Sequence, residues 1–382
     1  MRYHELGKTG FQVSEVGLGC EYLEGKDRSR VEQVIHAAMD GGVNILDCFM
    51  SEPNVRTNIG YALKGRRHRM HVQGHFRSVW KNGQYGKTMD IAEVKTFFED
   101  LLRRLDTDYI DLGMIHIVDN PADFHALFDG EIFEYASQLK KEGTVRKIGI
   151  STHNPATALL AAQSGLIDMM LLSINPAYDL LNEKAARPKQ LGNDFFQSID
   201  IAGINQVRQQ LYNYCESQGI GITAMKVLAA GALLNEKTTP FASALTVQQC
   251  MHYALTRPAV ASVLVGMQTV EQVADCLRYE EMTPQQLDYS AIFARQPRFD
   301  MQGRCMYCNH CLPCAASINI AQVGKYLDMA QLEGVPVATL KAHYESLEHR
   351  ADECRACGAC EKRCPFDVPV IQRMRKAAEI FR

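Results

Sequence analysis

Between residues 13 and 283 the chain alternates short apolar runs with longer segments of helical period. The runs are Val13–Leu18, Val43–Leu46, Met70–Val72, Ile110–Ile115, Ile148–Ile150, Met169–Leu172, Ile220–Ala224 and Val260–Val265. Between them lie amphipathic stretches such as Arg30–Gly41, Ile91–Leu105, Glu131–Lys141, Ala156–Ser164, Ala202–Ser217, Val247–Thr256 and Val270–Tyr279. Parallel strands need a long crossover, usually a helix. Eight such strands predict an α/β fold, a (β/α)8 TIM barrel. A doubly wound open sheet is the alternative. No Gly-x-Gly-x-x-Gly follows the first strand, which disfavours a dinucleotide fold of that kind.

Two polar segments interrupt the alternation. Residues 77–89, with Trp80 and Tyr85, follow the third strand, and residues 176–198 follow the sixth. Both fall beyond a strand's C-terminal end, the face on which barrels build their sites. A connection rich in turn signals, with Thr283-Pro284 and Gln296-Pro297, leads to a second part. The expected division is a barrel over 1–283, a linker over 284–300 and a small, mainly helical domain over 301–382.

That second part is identified by cysteine. Eight of the thirteen cysteines fall between Cys305 and Cys364. Cys354-x2-Cys357-x2-Cys360-x3-Cys364-Pro365 has the spacing of a bacterial ferredoxin run, whose fourth thiolate reaches the other cluster. Cys305-x2-Cys308-x2-Cys311-x2-Cys314 is one residue shorter, and its proline, Pro313, precedes the last cysteine. Two [4Fe-4S] clusters are therefore expected. Cross-ligation would join Cys305, Cys308 and Cys311 to Cys364, and Cys354, Cys357 and Cys360 to Cys314. Two four-cysteine zinc sites are the alternative. His310, inside the first run, is read as a hydrogen-bonding neighbour.

Composition adds exclusions. Forty-one Lys and Arg against 44 Asp and Glu give a net charge of −3, with no electrostatic case for nucleic acid or an anionic membrane. No apolar run approaches bilayer length, and Met1-Arg2-Tyr3-His4-Glu5 lacks a secretory h-region, so the cytoplasm is expected. No feature sets an oligomeric state.

Several phrases of the first 280 residues resemble the aldo-keto reductases. They include Leu6-Gly7-Lys8-Thr9-Gly10, Gly41-Gly42-Val43-Asn44-Ile45-Leu46-Asp47, Leu105-Asp106-Thr107-Asp108-Tyr109-Ile110-Asp111-Leu112 leading to His116, and Val145-Arg146-Lys147-Ile148-Gly149-Ile150-Ser151. Ser151-Thr152-His153-Asn154 and Met225-Lys226 are similar to a branch that carries two C-terminal ferredoxin-type runs. The resemblance implies a barrel, NAD(P)H-dependent carbonyl reduction, and a catalytic Asp, Tyr, Lys and His. Asp47 and His116 occupy the first and last of these positions. The tyrosine position is Glu52 and the lysine position is His75, so ordinary carbonyl reduction is in doubt.

Asp47, Glu52, His75 and His116 are thus the candidate catalytic residues, with Asp47 expected to hydrogen-bond His75. They could serve acid–base chemistry or a zinc or iron(II) ion. Tyr85 or Tyr178 could supply a phenol from another loop. The resemblance also places Ser151, Asn154 and Tyr178 at a nicotinamide ring. It places Lys226, Gly266, Glu271 and Gln272 near the cofactor's phosphate and adenosine. The leading expectation is an iron–sulfur oxidoreductase with a small-molecule substrate and an electron-transfer partner. The second is a non-redox lyase or isomerase using the His and carboxylate groups, with structural clusters. The third is an electron carrier or scaffold with a silent barrel.

Overall fold

The structure, a computed structural model, describes residues 1–179, 206–237, 239, 241, 243–290, 292, 303, 305, 311–333, 338–364 and 367–382. They fall into two compact units. The first comprises Met1–Ile174, Ile220–Val227 and Ala259–Glu280, and the second Asn175–Gly219, Leu228–Pro258 and Glu281–Arg382.

The first unit holds a closed parallel barrel, so the open sheet is excluded. A hairpin of β1 (Tyr3–Glu5) and β2 (Gln12–Ser14) precedes it. The barrel strands are β3 (Val16–Gly19), β4 (Ile45–Cys48), β5 (His71–Phe76), β8 (Ile110–Ile115), β9 (Val145–Thr152), β10 (Met169–Ser173), β11 (Gly221–Met225) and β12 (Val260–Gly266). The ring closes where β12 pairs with β3, Val263 beside Val16 and Gly266 beside Gly19. The apolar run Val13–Leu18 divides between β2 and β3. The polar segment after β5 is a second hairpin, β6 (Ser78–Lys81) and β7 (Gln84–Lys87), with Trp80 opposite Tyr85.

Alternation along each strand decides what enters the barrel. Phe76 faces outward and stacks on Phe98 of a covering helix at 4.1 Å, so Gln73 and His75 face inward. Deep inside, Ile45, Leu112, Met114, Met169 and Leu171 form an apolar cluster with Leu6 and Val13 of the first hairpin. A Cβ on Gly149 would lie 2.6 Å from the Met169 sulfur, so glycine is required there by close approach. Two residues further along several strands the inward positions turn polar. Asp47 follows Ile45, His116 follows Met114, and Ser173 follows Leu171.

Five of these six covering helices start on side-chain caps, which satisfy first-turn N–H groups. Asp27 caps α1 (Arg28–Asp40), Glu52 caps α2 (Pro53–Leu63), and Asp90 caps α3 (Ile91–Arg104). Asn120 caps α4 (Pro121–Phe128), α5 spans Glu131–Glu142, and Asn154 caps α6 (Pro155–Gln163).

The second unit is helical, with no strand among its described residues. Its longer helices are Gln206–Gln218, Val247–Leu255, Ile320–Glu333, Ala338–Glu345 and Val370–Ile380. Tyr253, Tyr289, Val323, Leu327, Met374 and Phe381 are among its buried core residues. Arg373 ties two helices together by donating to Asp328 at 2.7 Å and to the Gly324 carbonyl at 3.0 Å. Cys308 and His310, and most of the expected linker and of the segment after the sixth strand, lie outside the described residues. Among those described, no helix is long and apolar enough to cross a membrane.

Candidate active site

Three neighbouring strands deliver the polar cluster. In the register of β4 with β5, Asp47 lies beside Gln73, and His75 stands two residues further along the same face. His116 follows the end of β8, whose Met114 pairs with His75. His75 Nε2 is 2.8 Å from Asp47 Oδ1, and the Gln73 amide donates to the same oxygen at 2.9 Å. The Thr223 hydroxyl, from β11, donates to Gln73 Oε1 at 2.9 Å and so fixes which way that amide points.

On its other side, His75 Nδ1 is 2.8 Å from His116 Nδ1, the rings nearly perpendicular at 82°. His116 Nε2 is hydrogen-bonded to the hydroxyl of Tyr85. Ser151 Oγ accepts the Ile117 N–H at 2.9 Å and lies 3.3 Å from His116 Nδ1. Phe49 stacks on His116 at 5.5 Å and meets Tyr85 edge-on. The result is a continuous chain from Asp47 through His75 and His116 to Tyr85. Its three inner members are 6%, 1% and 4% exposed, whereas Tyr85 is 40% exposed.

Tyr85 reaches the chain because the hairpin is anchored at its base. Arg77 is buried in a left-handed conformation, φ +72°. Its guanidinium donates to the carbonyls of His116 at 2.7 Å and Thr88 at 3.0 Å. Burial holds the His116 imidazole well below its usual range, with His75, Arg77, His153 and Lys87 adding to the effect. Burial likewise pushes the Tyr85 phenol up to about 12. His116 is neutral and Tyr85 keeps its proton.

A pH dependence of stability follows. The unfolded chain's His116 takes a proton below about 6.5, while the folded one resists it. This group's contribution is fully present above that value and is lost as pH falls towards the depressed folded value. Unfolding measured by urea titration should therefore show falling stability below pH about 6.5, with a shallower slope in His116→Gln. An identical slope in that variant would refute the assignment.

The remaining candidates are placed as follows. The two carboxylate oxygens of Glu52 accept the N–H groups of Asn54 at 3.0 Å and Val55 at 2.6 Å, at the start of α2. Glu52 thus has its hydrogen bonds in a helix cap, apart from the chain of four. Asn154 Oδ1 accepts from Ala156 and Thr157 at the start of α6. Lys226 follows β11 with φ +58°; burial lowers its amine, against the opposing pull of Glu21 and Asp119. Gly266 ends β12, where a Cβ would meet the Tyr22 ring at 2.3 Å. Glu271 and Gln272 lie in the first turn of the next helix, Val270–Leu277, and Gln272 Oε1 accepts the Gln268 N–H at 2.7 Å. Tyr178 belongs to the second unit, where its N–H donates to Asn175 and the Arg208 guanidinium lies 6.0 Å from its ring.

In the second unit, Cys314, Cys354, Cys357 and Cys360 line one pocket, together with Ile318, Ile320 and Met374. The Ala316 N–H donates to Cys314 Sγ at 3.4 Å. Cys305, Cys311 and Cys364 pack against the same apolar core. Among the described residues, no three His, Cys, Asp or Glu side chains are drawn together around a single-ion site, in the barrel or elsewhere.

Residues 15–249 match the Aldo/keto reductase family. Among curated proteins, the uncharacterized oxidoreductase YqkF of Bacillus subtilis (strain 168) is 28% identical over 295 residues, 72% of this chain and 90% of its own length. The aldo-keto reductase YhdN of the same organism is 29% identical over 160 residues, 40% of this chain and 47% of its own. Among solved structures, the holo form of the aldo-keto reductase AKR11C1 from Bacillus halodurans superimposes with a TM-score of 0.57 at 22% identity, covering 74% of this chain and 92% of that one.

Proposed function

The chain belongs to the aldo/keto reductase family, and from that premise we propose that it is an iron–sulfur oxidoreductase with a divergent barrel site. The barrel binds a small carbonyl substrate and handles protons. The cysteine-rich part, from about residue 301 onward, exchanges electrons with an electron-transfer partner through two [4Fe-4S] clusters. A cytoplasmic setting, where thiols stay reduced, suits the free cysteines.

The observation that carries this reading is the pocket shared by Cys314 and Cys354, Cys357 and Cys360. Three cysteines of one run line it with the last cysteine of the other, although 40 residues separate Cys314 from Cys354. Three cysteines at x2 spacing followed by a Cys-Pro suit a four-iron core better than a zinc site, which pairs two shorter cysteine knuckles. The apolar lining and the N–H donated to Cys314 are levers that tune a cluster's potential.

The nicotinamide fits in part. Lys226 and the N-terminus of Val270–Leu277 follow the C-terminal ends of the adjoining strands β11 and β12, a cation and a positive helix end suited to a phosphate. Ser151 and Asn154 are already engaged, one with His116 and one in a cap. When bound, a reduced nicotinamide supplies a hydride, and the clusters supply single electrons. Around either, Asp47, His75 and His116 hold and move protons.

The test is iron and sulfide analysis of protein purified without oxygen. Two cubanes require about eight irons per chain. Stoichiometric zinc, or about four irons, would contradict the proposal.

A further inference from the structure

We propose that Tyr85 is the proton donor of the barrel site, and that His116, His75 and Asp47 form a relay that refills it. This rests on reading the barrel as a carbonyl-reducing site, and it names the group that does the work of the replaced tyrosine.

The hydrogens of the chain can be placed one by one. Thr223 turns the Gln73 NH2 towards Asp47, so Asp47 Oδ1 accepts from Gln73 and from His75 Nε2–H. With His75 neutral, its Nδ1 must accept from His116 Nδ1–H, and His116 Nε2 must accept from the Tyr85 hydroxyl. Burial disfavours a cationic His116, so an additional proton is assigned to His75, whose ring faces the Asp47 carboxylate. His75 is protonated on both nitrogens, between Asp47 and His116. His116 then accepts at Nδ1 and donates from Nε2 to the Tyr85 oxygen, and the Tyr85 O–H is released towards solvent. The exposure gradient gives the direction, because Tyr85 is the most exposed residue of the four.

The reductive step balances as follows. The carbonyl carbon takes a hydride from the reduced nicotinamide, so the carbon–oxygen π bond breaks as a C–H bond forms. The carbonyl oxygen takes the Tyr85 proton. Tyr85 regains one from His116 Nε2, and His116 Nδ1 takes one from His75 Nδ1. The chain is left in its neutral arrangement, and one proton from solvent restores it. The carbonyl gains two electrons, which the nicotinamide loses. No lysine lies between Lys64 and Lys81 to stabilise a tyrosinate by a fixed charge. His116 Nε2–H does so here by a directed hydrogen bond. The donor has thus moved from the loop after β4, where Glu52 caps a helix, to the hairpin after β5.

The other charged and titratable groups facing the chain are Arg77, His153 and Lys87 at His116, Arg77 and Glu21 at Tyr85, and Cys20 and Cys48 beside Asp47. Arg77 and Lys87 keep one charge across the neutral range. His153 is paired with Asp119 at 3.1 Å.

The first arm of the test needs no substrate. Nitrogen-15 histidine NMR of the full chain should show His116 Nε2 as a hydrogen-bonded acceptor. Tyr85→Phe should shift that nitrogen alone, and His75→Gln should shift His116 Nδ1. Unchanged His116 signals in Tyr85→Phe would overturn the relay whatever the activity. The second arm uses NADPH or NADH with a panel of aliphatic and aromatic aldehydes and 1,2-diketones. Tyr85→Phe should lower kcat by about 10²–10⁴ with KM little changed. The Tyr85→Phe/His75→Gln double variant should be no slower than the slower single one, since members of one unit are not additive. Wild-type turnover in Tyr85→Phe would overturn its role as donor while leaving the barrel reading in place. No turnover of any panel member by the wild-type chain would overturn the barrel reading and Tyr85's role with it, and the NMR arm would still decide whether the four residues share protons.

Discussion

Cys364→Ala is expected to halve the iron content, from about eight to about four per chain, and to remove the cluster of the first cysteine run, not that of its own. Cys364 stands only four residues after Cys360, yet it does not line the pocket that Cys360 shares with Cys314. Its neighbour Arg363 reaches the first run. That guanidinium donates to the carbonyls of Cys311 at 2.6 Å and Pro313 at 2.7 Å, pinning the end of one run against the other. Cys314→Ala should remove the complementary half, the cluster held by Cys354, Cys357 and Cys360. Electron paramagnetic resonance of the reduced variants distinguishes the two, because the surviving signals should differ. If Cys364→Ala and Cys357→Ala left the same signal behind, the exchange of fourth ligands would be wrong.

The barrel was legible because its signal is periodic. Ile110–Ile115 is found as β8 with the same bounds, and the other strands shift by a few residues. Both hairpins were less visible, since β1, β2, β6 and β7 are three or four residues long and mostly polar. Helices α2 and α4 are short, but each begins with Pro directly after a capping side chain, a signal that was present in Glu52-Pro53 and Asn120-Pro121. Reading Glu52 by its alignment to a family position hid its capping geometry.

The site divides in the same way. Asp47, His75 and His116 sit at strand ends, where position along the chain gives position in space. Gln73 could have been found as the inward residue two before His75. Thr223 could not, because its partner lies 150 residues away in sequence and only closure of the barrel brings them together. Tyr85 was visible as a phenol in a polar segment. Its placement depends on the hairpin register and on the Arg77 anchor, neither of which a periodic pattern encodes.

His75→Ala should destabilise the barrel by about 1–3 kcal/mol, the usual cost of leaving a buried polar group without its hydrogen-bond partner. It should also abolish turnover with both clusters intact. The magnitude follows from what is left behind. Asp47 would retain only the Gln73 amide at its inner oxygen, and His116 Nδ1 would keep only the longer contact to Ser151, at 3.3 Å. Both groups lie in an interior that water scarcely reaches, so neither recovers the lost hydrogen bond from solvent. Asp47→Asn in the same background removes the unpaired charge and lets the side chain remain hydrogen-bonded to Gln73. The double variant should therefore be more stable than His75→Ala alone, although equally inactive. Urea unfolding of the two proteins at neutral pH decides the matter. If the double variant is the weaker of the two, Asp47 is not a carboxylate held in place by His75, and the proton chain loses its inner end.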